Sequence, residues 1–208
     1  MSDGFRHLPG FLSPARQAAL LQAVHGIVAA GPWVVPTMPR SGRPFSVRMA
    51  NAARLGLVSD RRGYRYQPLH PETGRPWPPI PSEVLEVWQE VAQWPQPPQC
   101  CLVNLYRDGA RMGQHQDRDE RDLAAPVVSV SLGDRALFRL GGTGRRDPGR
   151  SFWLESGDVV VLGGTSRLAF HGIDRVEAGS SGLVPGGGRL NLTLRRVTVH
   201  GPDPVDVR

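Results

Sequence analysis

The stretch Arg189-Leu190-Asn191-Leu192-Thr193-Leu194-Arg195 constrains this chain more tightly than any other. Three leucines alternate with four polar or charged residues, the period of a strand that buries one face. Leu190, Leu192 and Leu194 go one way; Arg189, Asn191, Thr193 and Arg195 go the other. A slip of one residue in register would drive two arginines into the apolar side, so this strand has one permitted pairing. The segment 102–106 repeats the pattern, with Asn104 and Tyr106 on one face and Val103 and Leu105 on the other. The polar faces admit two readings. They lie against water, or they line an interior that holds an ionic ligand.

Short strands follow one another through the second half of the chain: 100–106, 127–132, 136–140, 151–154, 158–162, 167–171 and 189–199. Turns such as Gly141-Gly142-Thr143-Gly144 and Glu155-Ser156-Gly157-Asp158 separate them. This spacing predicts a sandwich or jelly roll with helices on one side, an α+β architecture. The first half supplies the helices. Ser13-Pro14 is an N-cap followed by proline at the first helical position. Leu20, Leu21, Val24, Ile27 and Val28 recur at helical spacing until Gly31-Pro32. A second helix is expected from Ser82 toward Trp94, with Val84, Trp88 and Val91 along one stripe that packs as core. Between them, residues 36–81 are rich in Gly, Pro and Arg and show little periodicity. Such a segment inside a compact chain is disordered or functional, and Tyr64, Tyr66 and Trp77 argue for a functional lid.

At 208 residues one domain is expected over 1–208, with helices and lid in about 1–98 and a jelly-roll core in about 99–200. No apolar run is long enough to span a membrane, and the first residues lack the apolar stretch of a secretory signal. Cys100 and Cys101 are adjacent and point to opposite faces of a strand, so reduced thiols in a cytoplasm are expected. The net charge is +6 and all 25 basic residues are arginine. A GC-rich genome accounts for that bias as readily as a polyanionic partner does, yet the positive field attracts polyanions either way.

His115 and Asp117 stand two apart, so in an extended strand both point one way. With a distant histidine such as His171 they make a 2-His-1-carboxylate facial triad, which holds Fe(II) and leaves positions open for co-substrate and oxygen. An arginine beyond the second histidine can hold a carboxylate beside that metal, which points to an oxygenase using a keto acid. The pattern alone has modest specificity. His7, His25, His70 and His200 have no such context, and 115–120 can equally be a charged loop.

Longer strings narrow the choice. Asn104-Leu105-Tyr106, His115-Gln116-Asp117-Arg118-Asp119-Glu120, 125–133, 156–161, Ser166-Arg167-Leu168, His171-Gly172-Ile173 and 189–195 closely resemble the bacterial AlkB DNA-repair dioxygenases, over nearly the whole chain. The stretches 61–68 and 76–78 resemble that family's nucleotide-recognition lid. The resemblance implies an Fe(II)- and 2-oxoglutarate-dependent double-stranded β-helix that uses O2 to demethylate alkylated bases. Its products are formaldehyde, succinate and CO2. It implies His115, Asp117 and His171 as iron ligands, Arg189 at the distal carboxylate of 2-oxoglutarate and Arg195 nearer the metal. Asn104, Tyr106 and Asn191 would add hydrogen bonds.

Bases of the 1-methyladenine and 3-methylcytosine type carry a positive charge, so their pocket should offer a π-face and an anion. Tyr64, Tyr66 and the His115 ring are the candidates for stacking, and Asp119 for the charge. Arg145 and Arg146 are candidate phosphate contacts, or solvated turn residues. The expected partner is alkylated single- or double-stranded DNA, with RNA also open, and a monomeric protein acting away from membranes. Leu57 stands where the best-known bacterial member carries a lid tryptophan, and Leu162 where an aromatic is usual. Two other readings compete: a hydroxylase of a protein or small molecule on the same iron chemistry, and a non-catalytic jelly roll with a structural metal.

Overall fold

The computed structural model describes residues 4–199; His200 lies outside them. In chain order the elements are β1 (Phe5–Leu8), α1 (Pro14–Ala30), β2 (Val47–Ala52), β3 (Gly56–Asp60), β4 (Gly63–Gln67), α2 (Ser82–Val91) and β5 (Cys100–Tyr106). The second half adds β6 (Met112–His115), β7 (Val127–Gly133), β8 (Ala136–Leu140), β9 (Arg150–Leu154), β10 (Val159–Leu162), β11 (His171–Val176) and β12 (Arg189–Arg195). A six-stranded antiparallel sheet runs β1-β10-β7-β12-β5-β2. A four-stranded sheet runs β6-β11-β8-β9, and β3 and β4 form a separate hairpin. This is the expected jelly roll.

The alternation in β12 places both faces of the large sheet. Leu190, Leu192 and Leu194 join Cys101, Val103, Leu105, Val128, Val130 and Leu132 in a core that also contains Leu20, Val24 and Ile27 of α1 and Val84 and Trp88 of α2. The helices therefore cover one face. The other face looks toward the small sheet, where Cys100, Leu102, Tyr106, Phe138, Leu140 and Ile173 form a second core. Cys100 and Cys101 are free and buried, one in each core.

Helix α1 begins as its sequence dictates: the Ser13 hydroxyl accepts from the Arg16 amide and Pro14 opens the first turn. It closes with the Gly31 amide donating to the Ile27 carbonyl. Helix α2 stops at Val91 rather than reaching Trp94, because Gln93 turns left-handed at φ 52° ahead of Pro95.

Residues 36–81 are not irregular as expected. They contain β2, which pairs with β5 along six residues, and the β3–β4 hairpin. Strand β2 gave no alternation because, apart from exposed Arg48, both its faces are covered: Ala50 and Ala52 enter the helix-side core, Val47 and Met49 the other. The strand expected at 167–171 starts instead at His171. Residues 164–166 form a 3-10 turn, and the Arg167 side chain is buried in bonds to the backbone of Asp117 and Ala125. Strand β12 ends at Arg195 rather than at 199, and the amides of Val197 and Thr198 then bond the Gln99 side chain.

Candidate active site

Between the two sheets lies a cavity of about 450 Å³, a size suited to a small ligand with part of a second one. Its wall on the large sheet is the polar row predicted from sequence. Register places Arg189 beside Tyr106, Asn191 beside Asn104, and Arg195 beside Cys100. All seven residues of β12 are buried, so the polar face is turned into the cavity and not toward the protein's outer surface. Asn191 Nδ2 donates to Ser129 Oγ at 2.8 Å, Thr193 Oγ1 to Asn191 Oδ1 at 3.0 Å, and Arg189 Nη2 to Ser131 Oγ at 3.0 Å.

His115 ends β6 and His171 begins β11, and the two are paired across the small sheet with ring centroids 4.5 Å apart. Asp117 lies just past β6, so strand parity does not aim it as expected. Instead, Arg167 Nη1 donates to its carbonyl at 2.6 Å, and Arg195 bonds its carboxylate through Nη2 at 2.8 Å and Nε at 3.3 Å. The ligand atoms of His115, Asp117 and His171 all fall within 4.8 Å of one another. Each histidine contacts a backbone carbonyl through Nδ1, His115 that of Gly113 at 3.0 Å and His171 that of Ala169 at 2.9 Å. A proton on Nδ1 leaves both Nε2 atoms as free lone pairs, which is the tautomer a metal needs. Burial pulls the His171 ring down to about 4 against the pull of Asp117, so it is neutral at pH 7. Burial alone would raise the Asp117 carboxyl, but Arg195 and the two histidines hold it well below the usual carboxylate range.

Four buried polar atoms at this cavity have no hydrogen-bond partner among the described residues: Arg189 Nε and Nη1, Arg195 Nη1 and Asn104 Oδ1. Each orphaned group costs about 1–3 kcal/mol, more when charged. Burial pulls the Arg189 guanidinium below its ordinary value, and no carboxylate among the described residues pairs with it; the Tyr106 ring lies 5.2 Å away. A buried guanidinium of this kind, without an acidic partner among the described residues, fits a carboxylate ligand. The three convergent ligand atoms beside it fit a divalent metal with open positions.

The mouth of the cavity is lined by Leu57, Tyr64, Asp119, Arg145 and Phe170, and Leu162 lies in its wall. Tyr64 is 47% exposed and free to meet a large ligand. Burial, then the Glu120 and Asp117 carboxylates, push the Asp119 carboxyl upward, which suits a cationic partner. Arg145 sits over the Phe170 ring at 5.8 Å, whereas Arg146 does not line the cavity. Tyr66 corrects the expectation of two stacking tyrosines. It is 3% exposed, does not line the cavity, and donates its hydroxyl to Glu120 Oε1. Opposite Leu57 in the hairpin, its ring packs into the core on the cavity side of the large sheet.

Ser129, Ser131, Glu120 and Arg167 also support this site, with no role for them evident from the sequence pattern. The facing of the two serines was legible, because Val127-Val128-Ser129-Val130-Ser131-Leu132 alternates as β12 does. Glu120 and Arg167 sit outside regular structure, and no periodicity marks them.

Residues 4–195 match the family model described as the 2OG-Fe(II) oxygenase superfamily. The chain is 55% identical over 193 residues to the alpha-ketoglutarate-dependent dioxygenase AlkB homolog of Caulobacter vibrioides, covering 93% of this chain and 87% of that one. It is 42% identical over 181 residues to the alpha-ketoglutarate-dependent dioxygenase AlkB of Escherichia coli K12, covering 85% and 83%. Among solved structures, OsALKBH1 superposes with a TM-score of 0.79 at 29% identity, over 93% of this chain and 96% of that one.

Proposed function

This chain belongs to the 2OG-Fe(II) oxygenase superfamily and is an Fe(II)- and 2-oxoglutarate-dependent dioxygenase, and from that premise we propose that it oxidatively demethylates alkylated bases in nucleic acid. The observation that carries the reading is the pairing, in one cavity, of the His115–Asp117–His171 cluster with the orphaned guanidinium nitrogens of Arg189 and Arg195.

On this reading His115, Asp117 and His171 hold the iron through Nε2, a carboxylate oxygen and Nε2. Arg189 takes the distal carboxylate of 2-oxoglutarate, with Tyr106 beneath its guanidinium; Arg195, Asn104 and Asn191 line the rest of that subsite. When bound, Fe(II) with 2-oxoglutarate and O2 supplies the oxidising power that hydroxylates an N-methyl carbon, yielding succinate and CO2 and, after collapse of the resulting hemiaminal, formaldehyde. The protein's own part is placement. The Nδ1 contacts of both histidines fix their ring orientation, Arg195 fixes Asp117, and the closed large-sheet wall keeps bulk water from the reacting carbon.

A methylated base must leave its stack to enter the cavity. Tyr64 and the His115 ring offer π-faces, Asp119 offers a carboxylate to a cationic 1-methyladenine or 3-methylcytosine, and Arg145 is placed to meet a phosphate. Aliphatic Leu57 at the mouth gives a shallower, softer wall than a tryptophan would. The protein acts on this reading as a monomer in the cytoplasm, on DNA and with RNA as a further substrate. Succinate release measured on methylated and unmodified oligonucleotides of the same sequence tests it. Stimulation by the methylated strand alone supports the reading; equal release on both sinks it.

A further inference from the structure

The second carboxylate beneath the cavity is Glu120, 5% exposed. It does not line the cavity, yet its side chain meets three others. Oε1 accepts the Tyr66 hydroxyl and faces Arg195 Nε at 3.4 Å. Oε2 accepts from Arg167 Nη2 at 3.1 Å. Arg195 and Arg167 in turn hold Asp117, the first by its carboxylate and the second by its carbonyl. Two carboxylates and two guanidiniums thus form one buried, charge-balanced group, joined by a tyrosine that belongs to the β3–β4 hairpin.

The geometry points to Glu120 as a positioning residue that fixes Arg195 and Arg167 relative to Asp117 and anchors the cavity-mouth hairpin to the same spot through Tyr66. Asp117 carries two obligations if it is to hold a metal: it must accept from Arg195 and still offer a lone pair toward His115 and His171, whose Nε2 atoms lie 3.7 Å from its oxygens. Arg195 reaches both Asp117 oxygens, so its guanidinium plane must stay fixed if each oxygen is to keep a second lone pair turned toward the histidines. Glu120 gives Arg195 Nε a second acceptor, and it engages Arg167 while that residue grips the Asp117 backbone. The same carboxylate leaves Tyr66 with one place to point. Leu57 and Tyr64 lie on the hairpin that Tyr66 pins, so the wall that meets a base and the carboxylate that meets the metal share one anchor.

This inference rests on the metal assignment above, and its test separates the two. Mn(II) affinity is titrated on the metal-free protein for wild type, Glu120→Gln and His115→Ala, with amide hydrogen exchange followed across residues 56–67 of the same proteins and of Tyr66→Phe. Glu120→Gln keeps the shape and removes the charge; it is expected to weaken Mn(II) by about 10-fold or more, the range seen for groups that orient metal ligands. In Tyr66→Phe and in Glu120→Gln the hairpin amides are expected to exchange faster. If His115→Ala binds Mn(II) as wild type does, the metal assignment itself fails. If His115→Ala loses Mn(II) while Glu120→Gln keeps wild-type affinity, Glu120 does not position Asp117 and the inference falls. Unchanged exchange over 56–67 in Tyr66→Phe, a variant that loses only a hydroxyl, removes the anchor to the hairpin.

Discussion

Arg195 grips Asp117 with two arms, Nη2 to Oδ1 at 2.8 Å and Nε to Oδ2 at 3.3 Å, across 78 residues of sequence and inside a buried site. The same carboxylate faces His115 and His171, so one side chain joins the last strand of the large sheet to the small sheet. Arg189, at the other end of the same strand and bonded to Ser131, lacks any such acidic partner among the described residues. The two arginines therefore fail differently when removed.

Arg189→Ala is expected to raise the KM for 2-oxoglutarate with little change in metal affinity. The loss of a buried charge-assisted pair corresponds to roughly 2–5 kcal/mol. Arg195→Ala is expected to raise that KM and to lower kcat as well, because Asp117 is left buried without its main cationic partner. Titration of 2-oxoglutarate against each variant checks this; an unchanged KM in Arg189→Ala would withdraw its assignment.

Asp119→Ala is expected to lose preference for cationic 1-methyladenine and 3-methylcytosine, with a smaller loss on neutral 1-methylguanine. Tyr64→Ala is expected to weaken all three, since stacking is blind to charge and contributes roughly 1–3 kcal/mol per base. Single-turnover repair of one cationic and one neutral lesion in the same strand reads both effects. An equal fractional loss on the two lesions in Asp119→Ala would make that carboxylate structural.

Burial pushes the Cys100 thiol from its ordinary 9.0 up to about 12, and moves Cys101 the same way. The folded protein thus holds these protons more tightly than the unfolded chain. The resulting stability is fully present below about pH 9 and is lost as pH rises toward 12. Iodoacetamide at pH 8.5 is expected to label neither cysteine in the folded protein and both in guanidinium. Rapid labelling of the native protein would contradict the burial of both thiols.

Leu192 is fully buried on the helix side of β12. Leu192→Ala is expected to destabilise the fold by about 2–5 kcal/mol, through lost burial and the cavity left behind. Its cavity-facing neighbours are one residue away on the opposite face, so the affinity of any folded fraction for 2-oxoglutarate should stay close to wild type. Urea unfolding with a co-substrate titration separates the two quantities. A stability loss below about 0.5 kcal/mol, the range of surface substitutions, would contradict its core position.

The strands with one wet-looking face and one greasy face were legible because a period of two survives only where two environments differ. That held for β5 and β12, where it separated the polar from the apolar face and left open whether the polar one meets solvent or a ligand. It failed for β2, whose faces are both covered apart from exposed Arg48 and whose sequence Val47–Ala52 shows no alternation. It also failed at Tyr64 and Tyr66. Their spacing puts both on one face of β4, yet one is 47% exposed and the other 3%, because the hairpin enters the core at Tyr66 and leaves it at Tyr64.

By itself, the sequence determined a strand-rich second half of sandwich or jelly-roll type and the faces of the strand that ends in Arg195, because strand period is a local property; the jelly roll and the three candidate metal ligands came from the resemblance of its motifs to a known family. The tertiary structure alone decided how those ligands meet. Asp117 lies past the end of β6, and what aims it comes from Arg167 and Arg195, 50 and 78 residues away. It alone put Glu120 beneath the site and turned Tyr66 from a stacking surface into an anchor. Burial and long-range hydrogen bonds depend on which segments are brought together, and no pattern along the chain encodes that.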